Sequence, residues 1–237
     1  MGKRVDLLGT LFLVSCQDPE WRTVNTMETY PTIPHLGGVR NNKWTRRYQD
    51  LSFICFDKAD GSNIRAEWNP KRGFYKFGRR HGLLDDSNPF LLEAPELIKS
   101  KYGEDLDRIF REQRWQGAVA FFEFFGPNSF AGSHEKEPHE VLLIDLKIHR
   151  HGYIDPKDFV RLLGGLDIPT VCHRGQVTEE FQDQVSMGEI LGLGQEGVVC
   201  KAMVGKKPIR FKIKRNSWYD RLRDTVKGDE ALFDKLK

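Results

Sequence analysis

The strongest constraint on this chain is a set of short β-type runs that no helical period can absorb. Residues 52–56, 73–77, 118–125, 141–148, 197–202 and 209–213 are rich in β-branched and aromatic side chains. Gly, Asn or Pro punctuates them. Helical segments lie between. Asn88-Pro89 opens one that runs through Leu91, Leu92, Leu97 and Ile98. Asp155-Pro156 opens another, with Asp as N-cap, Pro at the first position, and Phe159, Leu162 and Leu163 at helical spacing. Residues 178–191 form a third. There is no regular strand–helix–strand alternation, so an α+β fold of antiparallel sheets flanked by helices is expected.

Composition narrows the class. The chain has 237 residues, 39% hydrophobic and 30% charged, as in an ordinary globular protein. No apolar run is long enough to span a membrane. The apolar stretch 5–16 lacks a small-residue cleavage site and is expected to be a core strand rather than a signal peptide. Residues 17–50 are turn-rich, with Pro31, Pro34 and Gly37-Gly38. Residues 1–50 are therefore expected to pack on or extend a main domain over 51–237. None of Cys16, Cys55, Cys172 and Cys200 forms a C-x-x-C pair. A disulfide framework or a zinc site is not expected, and a reducing, cytoplasmic compartment fits. The net charge of +3 does not announce nucleic-acid binding. Yet residues 201–223 are dense in Lys and Arg, with Asp220 the single acid. That segment is either a phosphate-binding patch or a solvated basic face.

Chemistry concentrates after the run 52–56. In strand phase, Lys58 follows Ile54 and Phe56 on one face. A lysine at the end of an apolar strand is partly desolvated, which lowers its pKa from about 10.4 and makes the amine a usable nucleophile. Asp60-Gly61 permits a tight turn beside it. On these residues alone, a solvated lysine in a surface turn is an equal reading. Glu123 is a single carboxylate among Phe121, Phe122, Phe124 and Phe125. Buried there, it must meet something polar, such as a ribose hydroxyl or a cation. In 209–214, Ile209, Phe211 and Ile213 share one face, and Arg210, Lys212 and Lys214 share the other.

Taken in order, these segments resemble the motifs of the covalent nucleotidyltransferases, which comprise DNA ligases, RNA ligases and mRNA capping enzymes. Lys58-Ala59-Asp60-Gly61 resembles the nucleophile motif, whose lysine attacks the α-phosphorus of a nucleoside triphosphate and releases pyrophosphate. Phe121 to Gly126, centred on Glu123, resembles the third motif. Glu196-Gly197-Val198-Val199-Cys200-Lys201 resembles the fourth, and Arg210 to Lys214 the fifth. Phe77-Gly78-Arg79-Arg80 resembles the motif that supplies a basic residue for a 5′-phosphate, and Arg79 is chosen over Arg80. Leu142 to Leu146 resembles the segment that stacks on adenine, with Ile144 where an aromatic residue is common.

The resemblance implies an ATP-grasp-like nucleotidyltransferase domain using ATP and Mg²⁺, with Mn²⁺ an alternative. Lys58 would be the catalytic nucleophile. Asp60, Gly61, Asn63, Arg65, Arg79, Glu123, Ile144, Glu196, Lys212 and Lys214 would bind the nucleotide, and Glu196 and Glu123 would hold the metal. Asn63 stands where DNA ligases and capping enzymes often carry arginine. The pattern looks more like the RNA ligase 2 kind, in which that asparagine serves phosphodiester formation. RNA ends, or nicked duplexes containing RNA, are then the expected partners, with no membrane. Residues 215–237 leave little room for a C-terminal OB domain, so a minimal form is expected, and a partner chain could supply an accessory nucleic-acid-binding domain. Trp218 and Tyr219 could stack bases there or pack a C-terminal helix. A DNA ligase, a GTP-using guanylyltransferase and a non-catalytic nucleic-acid-binding module are the competing readings.

Overall fold

The computed structural model describes residues 3–5, 11–13, 28–36, 48, 50–86, 89–127, 134 and 136–236. In place of one strand over 5–16, two short strands, β1 (Lys3–Val5) and β2 (Leu11–Leu13), pair antiparallel. The residues between them, most of 17–50, Cys16 and Asn88 lie outside the described residues.

Two further antiparallel sheets form the body. The six-stranded sheet has the order β6-β5-β4-β7-β8-β9, from β4 (Ser62–Asn69), β5 (Gly73–Arg79), β6 (Gly82–Leu83), β7 (Ala118–Phe125), β8 (Glu140–Ile148) and β9 (Gly152–Tyr153). The four-stranded sheet has the order β10-β3-β11-β12, from β3 (Phe53–Asp57), β10 (Val171–Gly175), β11 (Gly197–Val204) and β12 (Lys207–Lys214). With the five α-helices among the described residues, this is the α+β architecture of antiparallel sheets.

Periodicity explains the layers. On β7, Ala118, Ala120, Phe122 and Phe124 pack with Ile98, Tyr102, Leu106, Ile109 and Phe110 of α1 (Ala94–Glu112). Those helix positions recur every three or four residues and make one stripe. α1 follows a 3-10 turn, Pro89–Glu93, so the helix begins several residues later than Asn88-Pro89 suggested. Strand β3 is buried on both faces. Ile54 and Phe56 join the core of the six-stranded sheet, with Phe159 and Leu163 of α2 (Pro156–Leu163). Phe53 and Cys55 join a second core with Phe211, Ile213 and Phe181 of α3 (Glu179–Met187). Asp155 caps α2 by accepting from the Lys157 N–H at 2.8 Å. Helix α3 stops at Gly188, whose φ of 81° suits glycine. The C-terminal helices α4 (Asn216–Val226) and α5 (Glu230–Leu236) share a small core of Trp218, Leu222, Val226 and Phe233.

Residues 28–36 act as a strap. Lys212 donates its N–H to Pro34 O at 2.9 Å, and Leu36 donates to Lys212 O at 3.0 Å, so the strap runs parallel along the free edge of β12. Among the described residues, no helix is long and apolar enough to cross a membrane.

Candidate active site

Lys58 leaves the end of β3 in phase with Ile54 and Phe56, and its ammonium enters the cleft between the two sheets. Lys58 Nζ lies 2.6 Å from Glu196 Oε2. The other oxygen of Glu196 takes Lys214 Nζ at 3.0 Å. Gly197 sits between these partners at φ 141°, where an added Cβ would run into Ile213 O. Gly61 has the same kind of role, since a Cβ there would strike Phe124 O. Only glycine lets the lysine turn approach β7 closely enough for Gly61 N–H to donate to Glu123 Oε1 at 3.2 Å. Trp218 on α4 donates its indole N–H to Asp60 Oδ2 at 3.1 Å.

These contacts set the charges. Burial alone would lower the Lys58 pKa, but Glu196 and then Glu123 outweigh it and hold the ammonium above its ordinary value. The sequence expectation of a lysine activated by desolvation is therefore reversed in this state: Lys58 is clamped as a cation. Burial opposes the charge of Glu196 too, yet the two lysines keep its carboxyl below the usual range. Burial pushes Glu123 up to about 7, and Glu196 and Asp60 add to that. Burial, with Lys214 and Lys58 nearby, brings Lys212 down to about 8.

The cleft has a polar end lined by Lys58, Asn63, Arg80, Glu123 and Lys212, and a more apolar end lined by Phe56, Ile144, Pro169 and Val199. Tyr30, Pro31, Thr32 and Ile33 of the strap wall it. A β-bulge in β8 decides what the apolar end shows. Phe121 pairs with Asp145 but Phe122 pairs with Leu143, leaving Ile144 as the extra residue. Val141 and Leu143 before it, and Leu146 and Ile148 after it, all face the α1 core. The bulge thus frees both Ile144 and Asp145 for the other face. Asp145 accepts from Tyr30 Oη at 3.0 Å, Lys201 Nζ at 3.2 Å and Arg210 at 3.1 Å.

The structure brings Lys58, Asn63, Glu123, Ile144 and Lys212 to the cleft wall, and Asp60, Gly61, Glu196 and Lys214 directly behind it through the bonds above. Arg65 and Arg79 are elsewhere. Arg65 is 1% exposed. Its guanidinium donates to Glu28 O, Thr29 Oγ1, Arg80 O and Gly82 O at 3.2–3.4 Å. It ties the strap to the β5–β6 turn. Arg79 ends β5 in ladder register with Ile64 and Gly82 and does not line the cleft, whereas Arg80, one residue past the strand, does. The structure thus places Arg80, and not the expected Arg79, on the cleft wall. Sequence reasoning also missed Tyr30 and Lys201 as parts of this wall, and Asp145 as the carboxylate behind it that holds both. Lys201 was legible, since it shares strand phase with Gly197 and Val199; Tyr30 carried no periodic signal.

No known protein family profile matches the chain, and no curated protein matches it. Solved structures do. Naegleria gruberi RNA ligase with pyrophosphate matches at TM-score 0.65 and 13% identity, over 85% of this chain and 60% of that one. The same ligase in a mutant apo form matches at 0.63 and 13%, over 85% and 59%. A mutant bound to ATP and Mn matches at 0.61 and 13%, over 82% and 58%. The chain has an RNA ligase fold. It spans about three fifths of the length of those structures. Within this RNA ligase fold, the clefted carboxylates are hard oxygen donors of the kind magnesium takes. Among the described residues, no group of three or more His, Cys, Asp or Glu could enclose a metal ion. The donors fit a cation held by one or two carboxylates together with a ligand's phosphates, the usual magnesium arrangement.

Proposed function

We propose that this protein is an ATP-dependent RNA ligase that joins 5′-phosphate and 3′-hydroxyl ends through a lysyl-AMP on Lys58. The observation that carries the reading is the Lys58–Glu196 contact of 2.6 Å in the wall of a cleft whose polar end also carries Arg80 and Lys212. A lysine positioned by a carboxylate and facing a cation-rich wall is suited to attack a phosphorus, and the cations of that wall to hold the departing anion. The likeness to RNA ligase structures solved with ATP and Mn, and with pyrophosphate, supports the same reading.

Lys58 first gives up one proton to solvent, and a second leaves the nitrogen in the same way once the N–P bond has formed. Its nitrogen lone pair then forms the N–P bond to the α-phosphorus, and the P–O bond to pyrophosphate breaks with its electrons going to pyrophosphate. Lys212 and Arg80 stabilise the charge that grows on the phosphate oxygens. Ile144 and Val199 enclose the base, and Tyr30 to Ile33 keep water from that end. A 5′-phosphate oxygen then bonds to the phosphorus of AMP as the Lys58 N–P bond breaks and the amine takes a proton back. A 3′-hydroxyl oxygen, losing its proton to solvent, next attacks the 5′-phosphorus, and AMP leaves as the phosphodiester forms. Glu196 and Glu123 would hold magnesium or manganese, which supplies positive charge against the phosphate oxygens when bound. Asn63 and Arg80 would meet the 5′-phosphate end.

Sealing of nicked duplexes tests the substrate class. Nicks with RNA on the 3′-hydroxyl side should be joined, and all-DNA nicks at least about tenfold more slowly, the effect of one lost hydrogen bond to the sugar. Equal sealing of both would reject RNA specificity.

A further inference from the structure

We propose that Trp218 is a positioning residue for the adenylylation of Lys58, acting through Asp60 and Lys214 at once; this rests on the ligase reading above. Trp218 lies in the first turn of α4, 160 positions from the nucleophile, and is 1% exposed. Two different parts of its ring are used. The indole N–H donates to Asp60 Oδ2 at 3.1 Å. The ring face carries Lys214 Nζ at 3.0 Å from its centre. Lys214 in turn holds one oxygen of Glu196, and Lys58 holds the other. Five side chains therefore make a closed circuit of Lys58, Glu196, Lys214, Trp218 and Asp60, and backbone completes it from Asp60 to Lys58.

A residue that merely filled space here would need only an apolar surface. The indole does more than that. Its edge fixes the orientation of a buried carboxylate two residues from the nucleophile, and its face holds a desolvated ammonium in place. Loss of the N–H takes one donor from Asp60 and with it the hold on that carboxylate's orientation. Loss of the face lets Lys214 drift from Glu196, and Glu196 then no longer holds Lys58 in one position. AMP transfer removes the charge of Lys58 and with it the claim on Glu196. The Lys214–Glu196 contact and the cation above the indole change in response, so the emission of Trp218 reports the state of Lys58.

The test uses the full chain, first discharged with pyrophosphate and then mixed with ATP and Mg²⁺. Single-turnover AMP transfer and tryptophan emission are followed together in wild type and Trp218→Phe, which keeps an aromatic face and gives up the N–H. Trp218→Phe should transfer AMP about tenfold more slowly, the effect of one lost bond to a charged acceptor. Its half-saturating ATP should stay within about twofold of wild type, since nothing that lines the cleft is changed. The emission change on AMP transfer should vanish, although four of the five tryptophans remain. If Trp218→Phe does not fold, Lys214→Met is the second variant: it keeps the indole and removes the cation, and it must move the emission of the resting protein. Equal rates and equal emission changes in wild type and Trp218→Phe would overturn the inference and leave the ligase reading intact. An unmoved resting emission in Lys214→Met would overturn it as well. No AMP on discharged wild type would reject the ligase reading itself, and the inference with it.

Discussion

The carboxylate of Glu196 closes to 2.6 Å on the ammonium of Lys58 and so keeps the nucleophile charged in the resting protein. With Lys214 on its other oxygen, one buried anion serves two cations. The site is thus pre-assembled but not yet armed. On the proposed ligase reading the lysine must be neutral to attack phosphorus, and it would become so when the balance around Glu196 changes.

Glu196→Gln should therefore do two opposite things to Lys58. It removes the largest influence raising the amine's pKa, so the pH profile of AMP transfer should move to lower pH. It also leaves two lysines without their shared counter-charge. Removing one partner of a buried ion pair costs about 3–5 kcal/mol, so the melting temperature should fall and transfer at neutral pH should drop by orders of magnitude. A variant with wild-type melting would show that Glu196 is not the counter-charge.

Arg65 gives a prediction of a different kind. Its guanidinium joins the carbonyls of Glu28, Arg80 and Gly82 from inside the protein. Arg65→Lys keeps the charge but cannot reproduce the planar fork. Each carbonyl left unsatisfied costs about 1–3 kcal/mol. Thermal unfolding should show both Arg65→Lys and Arg65→Met strongly destabilised. In whatever folds, half-saturating ATP should rise, because the strap and the Arg80 turn lose a common anchor. An Arg65→Lys protein as stable as wild type would contradict this account.

Lys212 ties nucleotide binding to pH. Its pKa in the fold is about 8, below the ordinary 10.5. Between those values the folded chain binds fewer protons than the unfolded one, so this group makes the ligand-free protein more stable as pH rises from about 8 towards 10.5. A bound triphosphate favours the charged lysine instead. Binding of ATP above pH 8 should then take up a proton, and affinity should fall as pH rises further. Calorimetry at pH 8.5 in buffers of different ionisation enthalpy measures the uptake directly. It should be present in wild type and lost in Lys212→Met; uptake unchanged in the variant would assign the proton elsewhere.

Period-2 patterns and helix caps made much of this architecture legible. Lys58 falls in phase with Ile54 and Phe56, and the alternation from Ile209 to Lys214 separates a core face from the face carrying Lys212. The Asp155 cap is where the sequence placed it. Strand β4 was hidden because Arg65 and Glu67 break its apolar pattern; the first is buried against carbonyls that no local pattern reveals. Ile144 and Asp145 depend on a bulge, and a bulge is a property of two strands in register. That Arg80 rather than Arg79 lines the cleft could not be read from strand phase, because Arg80 lies just past the strand end. Trp218 could be read as a base-stacking residue until its burial against Asp60 and Lys214 was seen.

The central claim is that Lys58 becomes covalently adenylylated. The direct measurement is incubation with α-labelled ATP and Mg²⁺ after pyrophosphate discharge, followed by a denaturing gel and intact mass. Wild type should carry a label that survives denaturation, and Lys58→Ala should carry none. Label that persists in Lys58→Ala, or discharged wild type that gains neither label nor the mass of AMP, would contradict the account.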